Sequence, residues 1–223
     1  QPLGIRWPVV IHQFERLHAR DDQRRRQASS VLSVLPNIAH SYGGRAFRAA
    51  LDRSLADGPW DAVVLDHLQT GWALDAARRW RQSAAPAGRI VHVSHNHEES
   101  ARREIAAATS PLSVDGVALR LDARKIARLE RRMVRESDVL ACITEEDAVR
   151  FRAAGRVPRT VVLEPGYEGV RVAERTIAAA APKRVVILGN FEWHVKRANL
   201  DRFLAAADPR FATHTRRKAN EDA

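Results

Sequence analysis

The densest run of side chains able to do chemistry is Ser94-His95-Asn96-His97-Glu98-Glu99. An imidazole titrates near neutral pH and can take a proton from a hydroxyl as a general base. His95 and Glu98 are the candidate catalytic residues. Asn96 and His97 are candidate binding groups for sugar-like hydroxyls. A helix cap is a competing reading, with Asn96 as N-cap and Glu98 and Glu99 at the positive end of a helix dipole. Capping explains Asn96 and the glutamates but not two flanking histidines. A metal site is a third reading, because His92, His95 and His97 are close in sequence. His92 falls inside an apolar run, where strand alternation turns it away from His95. The wider Cys/His spacing of structural zinc sites is absent, so no metal is expected.

Two shorter polar runs resemble the first in setting. Asp66-His67 follows an apolar run and could pair with a neighbouring strand end; a solvated turn is the alternative. Thr144-Glu145 follows another, as a candidate binding pair. Thr144 with Asp147 three residues on also matches a capping box, in which hydroxyl and carboxylate satisfy the orphan amides of a helix start. The lone cysteine, Cys142, lies inside an apolar run and reads as a small core residue.

These residues are linked by the elements that precede them. Ala62 to Leu65, Arg89 to Val93, Asp138 to Ile143 and Val161 to Leu163 are short apolar runs, as expected of strands buried on both faces. Helical spacing covers about Arg45 to Leu55, Thr70 to Arg81, Glu98 to Ala108 and Val117 to Arg135, and a helix starts at Thr144. Asp57-Gly58-Pro59 and Ser110-Pro111 break the pattern. Alternation of this kind predicts an α/β fold with a Rossmann-like, doubly wound parallel sheet. Ligands bind such sheets at the carboxyl ends of the strands, where helix N-termini also favour anions. A short strand is expected within Trp7 to Ile11, a linker over Ile177 to Pro182, and a new strand at Val185 to Leu188 followed by a helix from about Asn199.

Composition narrows the function classes. The chain has 223 residues, 29% of them charged, with a net charge of +10 carried mostly by arginine. No run of about 18 apolar residues suggests a membrane span. One cysteine fits a reducing compartment. The arginines reflect either a general bias toward Arg and Ala or a surface for anionic headgroups. They are not interleaved with stacking aromatics, so nucleic acid is not expected as a partner.

The ordered set Asp66-His67, His95-Asn96-His97-Glu98, the arginine-rich helix with Glu130, Thr144-Glu145, Pro165-Gly166 and Gly189-Asn190-Phe191-Glu192-Trp193 resembles the retaining GT-B-fold glycosyltransferases of bacterial polysaccharide synthesis. The resemblance covers roughly residues 45–211. It implies an acceptor-side Rossmann-like domain over residues 1–183 and the start of a donor-binding domain over 184–211; residues 212–223, polar and without apolar period, are expected to be a disordered tail. It puts His95 and Glu98 on the acceptor side, and Gly189, Asn190 and Phe191 in the loop that approaches the donor phosphates. It implies a nucleotide sugar as donor substrate, a glycan or lipid-linked acceptor, and no cofactor. The location it implies is cytoplasmic, or peripheral at the inner face of the membrane. Most of the donor half is expected to be missing, and with it activity of this chain alone. Two other readings are a non-catalytic acceptor-binding module and a basic peripheral-membrane module. A different Rossmann-like nucleotide binder ranks below these, because no Gly-x-Gly-x-x-Gly follows any strand.

Overall fold

The computed structural model describes residues 30, 32–155, 157–166, 169, 187 and 194–206. The strand expected within Trp7 to Ile11, the linker, the tail, Trp193 and the donor-loop residues Gly189, Asn190 and Phe191 lie outside them. The chain divides into two compact units, Gln1–Glu168 and Gly169–Ala223. The described helix of the second unit is His194–Ala206, earlier than the expected start near Asn199.

The first unit opens with helices α1 (Asn37–Tyr42) and α2 (Arg45–Ala56). Strand β1 (Ala62–Asp66) leads through a 3-10 segment (Leu68–Ala73) into α3 (Leu74–Ser83). Then come β2 (Arg89–Ser94), α4 (Glu98–Ala107) and the long α5 (Val114–Glu136). Strand β3 (Val139–Cys142), α6 (Glu145–Ala154) and β4 (Arg159–Val162) complete the unit.

The four strands are parallel and lie side by side in chain order, β1-β2-β3-β4. The α/β class and the parallel sheet are as the sequence predicts. The described strands contain no reversal of order, so they make up one direction of winding rather than the two of a doubly wound sheet. Right-handed crossovers that all step the same way put every crossover helix on one face. That face carries Leu65, Ile90, Leu140 and Cys142, which are buried against Leu74 and Ala77 of α3, Ile126, Leu129 and Met133 of α5, and Phe151 of α6. Burial on both faces, expected from the apolar runs, holds only in part among the described residues. On the other face Ala141 is buried, Val91, Val93, Val139 and Val161 are half-buried, and Val64 on the edge strand β1 is 49% exposed.

The helix expected from Thr70 is a second departure. Thr70 bonds to the His67 carbonyl through both its amide (3.1 Å) and its hydroxyl (2.8 Å), a three-residue closure that favours 3-10 geometry. Gly71 packs against α5, where an added Cβ would lie 2.7 Å from Leu129 Cδ2 and 2.9 Å from Met133 Sδ. Regular α-helix begins only at Leu74.

Asp138 anchors the opposite end of the sheet. Its Oδ2 accepts from the Ile90 amide at 2.8 Å and from Arg81 at 3.0 Å, and its own amide donates to the Ile90 carbonyl at 2.8 Å. This fixes the register of β2 against β3.

Candidate functional site

Strands β1 and β2 end side by side, with Asp66 in register with Val93. Asp66-His67 therefore lies next to His95-Asn96. His95 Nε2 and Asp66 Oδ1 are 2.7 Å apart. The carboxylate accepts, so Nε2 carries a proton, and in the neutral ring Nδ1 then presents its lone pair. That Nδ1 has no hydrogen-bond partner among the described residues, and the ring is 43% exposed.

His67 makes a second pair. Its Nδ1 accepts from the Gln69 amide, which puts the proton on Nε2, and Nε2 lies 3.5 Å from Glu98 Oε1. The two imidazoles meet edge to face, with centroids 5.0 Å apart. His67 holds φ 63° and ψ 157°, the one non-glycine positive φ among the described residues. Only glycine visits that region readily, and the conformation costs about 1–3 kcal/mol. The surrounding bonds maintain it: the His67 amide donates to the Val93 carbonyl at 2.8 Å, and its carbonyl accepts from Thr70.

Glu98 is buried behind this pair. Its carboxylate accepts from Asn96 Nδ2 at 3.3 Å and from Arg102 at 3.3 Å as well as facing His67. Burial alone would raise its pKa, but these three partners hold it below the ordinary carboxylate value. Glu98 and Asn96 thus fix His67 rather than open toward a ligand.

The remaining expected residues separate from this cluster. His97, not Asn96, is the N-cap of α4: its Nδ1 accepts from the Ser100 amide, and its ring packs on Phe151 at 4.6 Å. Burial lowers its pKa. Thr144 caps α6, its Oγ1 accepting from the Asp147 amide at 3.1 Å and donating to Asp147 Oδ2 at 2.8 Å. The other Asp147 oxygen accepts from the His97 amide, so the carboxylate links two strand ends instead of closing a standard box. Glu145 pairs with Arg152 on the surface of α6. His92 is buried and donates from Nδ1 to the Leu65 carbonyl at 3.1 Å, with burial pushing its pKa down to about 4. Cys142 is buried, its thiol pushed up to about 11.

Glu130 belongs to the site as a support. It sits on the apolar stripe of α5, between Leu129 and Met133, and is almost fully buried. Its two oxygens accept the amides of Glu98 and Glu99 at 2.8 Å each. Burial, with the charges of Glu98 and Glu99, pushes its pKa up to about 7 against those hydrogen bonds. The N-terminus of α4 is therefore already occupied by an internal carboxyl. The expectation that this helix start would attract a ligand anion is corrected accordingly. A glutamate on an otherwise apolar helical stripe is a sequence signal that could have marked this position.

Two imidazoles, each backed by a carboxylate, can orient a hydroxyl, and in its unprotonated form such a ring can take the hydroxyl proton. The Asp66 carboxylate holds the His95 tautomer and would balance the charge of the imidazolium formed. No family model matches the chain, and no curated protein or solved structure matches it either.

Proposed function

We propose that this chain is the acceptor-side part of a glycosyltransferase that uses a nucleotide-sugar donor. The observation that carries the reading is the Asp66–His95 pair, with His95 Nδ1 unpartnered among the described residues at the joined carboxyl ends of β1 and β2. The ordered motifs described above support it. In this reading an acceptor hydroxyl sits at His95 Nδ1. Its oxygen bonds to the anomeric carbon of the donor on the face from which the diphosphate departs, as retention of configuration requires, and the hydroxyl proton passes to His95. His67, held by Glu98, lines the same position. The resemblance assigns the donor diphosphate to the loop at Gly189-Asn190-Phe191. The acceptor is a glycan or a lipid-linked sugar.

The test is transfer of radiolabelled sugar from UDP-, GDP- and ADP-sugars to a cell-envelope lipid and glycan extract. The full-length protein should transfer label, and His95→Ala should lose most of that transfer. Equal transfer by His95→Ala would remove His95 from the mechanism, and no transfer from any donor would end the reading.

A further inference from the structure

Helices α4 and α5 form an antiparallel hairpin that starts at the candidate site and runs away from it. The first turn of α4 meets the middle of α5, where Glu99 bonds to Arg131 and to Glu130. The end of α4 meets the start of α5, where Arg120 donates to the Thr109 carbonyl at 3.0 Å. From Glu130 to Val114 the hairpin extends about 24 Å at 1.5 Å per residue.

Its tip is apolar and uncovered. Leu112 is 94% exposed and Val114 86% exposed. Val117 and Leu121, spaced three and four residues further on, continue the same outward stripe of α5. Arg124 and Arg128 then extend the stripe at the same spacing. Both are exposed, and neither makes an ion pair among the described residues. Asp115 is the one acidic group among the exposed residues of 110–128. The segment carrying the exposed Leu32 and Val34 is tied to this half of α5 at both ends, by Lys125 to the Ser30 carbonyl and by Asp122 to the Asn37 amide.

We infer that the hairpin tip is a membrane-docking element for an anionic bilayer surface, independent of the catalytic reading. Apolar side chains at one end of a stripe and unpaired arginines a turn or two behind match the depth profile of a bilayer interface. The apolar turns enter the headgroup and acyl boundary, about 5–10 Å deep, and the arginines meet phosphate oxygens above it.

The test uses the whole chain with Leu112→Cys, labelled with an environment-sensitive fluorophore; native Cys142 is buried and does not compete for label. Vesicles of phosphatidylcholine containing about a quarter phosphatidylglycerol should give a salt-sensitive, blue-shifted emission, and pure phosphatidylcholine a much weaker one. In co-sedimentation with the same vesicles, Val114→Asp combined with Leu112→Asp should lower binding at least tenfold. Arg124→Gln and Arg128→Gln should each lower binding about fivefold, on the anionic vesicles only. These positions are exposed, so circular dichroism should be unchanged. Vesicle binding that ignores the apolar double variant would overturn the inference. So would a blue shift that appears without lipid and grows with protein concentration, which would make the tip a contact between two copies.

Discussion

The carboxylate of Glu130, in the middle of α5, accepts the backbone amide of Glu98 at 2.8 Å. Glu98 in turn faces His67 at 3.5 Å. A buried acid on a long helix thereby positions a strand-end imidazole without touching it.

This linkage has a pH signature. The folded pKa of Glu130, about 7, lies above its ordinary value of 4.5, so its stabilising contribution is complete below 4.5 and is lost as pH rises through 7. His92 acts oppositely: its folded pKa of about 4 lies below 6.5, so its contribution is present above 6.5 and lost as pH falls through 4. The two oppose each other between about pH 4.5 and 6.5, and His97, also lowered by burial, adds to the His92 side. Glu130→Gln removes the opposing side. Its stability in urea titrations should climb with pH over that window by a few kcal/mol more than that of the wild type. Parallel profiles for the two proteins would refute the assignment.

His67 offers a test of strain. Glycine in place of alanine normally costs about 1 kcal/mol. At φ 63°, ψ 157° the order should reverse, with His67→Gly more stable than His67→Ala by about 1–3 kcal/mol. Urea midpoints of the two variants decide it, because both lack the ring.

Asp66 should matter through His95. Asp66→Asn keeps the size but lets the ring adopt the other tautomer, with its proton on Nδ1. We expect kcat for sugar transfer to fall by about 100-fold or more with KM little changed. A change confined to KM would make Asp66 a binding group instead.

Gly116 permits the hairpin turn. A Cβ there would lie 1.9 Å from the Ser110 carbonyl oxygen, a backbone atom that cannot simply rotate aside. Gly116→Ala should cost about 1–3 kcal/mol and loosen the turn at 110–113, seen as faster amide exchange at Ser113 and Gly116.

Cys142 should be inert in the native state. Burial and a thiol pKa of about 11 leave almost no thiolate at pH 8, so an aromatic disulfide reagent should react only after denaturation.

Much of this was legible in the residues. The apolar runs Ala62 to Leu65, Arg89 to Val93 and Asp138 to Ile143 read as strands because they are short and are followed by polar residues, and Thr144 read as a cap from Asp147 three positions on. Other features depended on contacts the order of residues does not carry. The 3-10 segment at Leu68–Ala73 follows from the close approach of Gly71 to Leu129. The half-open sheet face follows from the strand order, which apolar runs alone do not report. The role of His97 followed its neighbour Phe151, fifty-odd residues away. The pairing of Asp66 with His95 was foreseeable once β1 and β2 were adjacent, but the backbone angle of His67 was not.

The Asp138–Ile90 bonds at the amino end of β2 bear on His95 at the other end. A slip of that strand by one position would exchange the two sides of the sheet. His95 would be carried out of reach of Asp66, and the buried His92 turned toward the opposite side. Asp138, at the other end of β2 from His95, thus sets the alignment on which the imidazole pair depends. A lesion there would misplace that pair while leaving each of its residues intact.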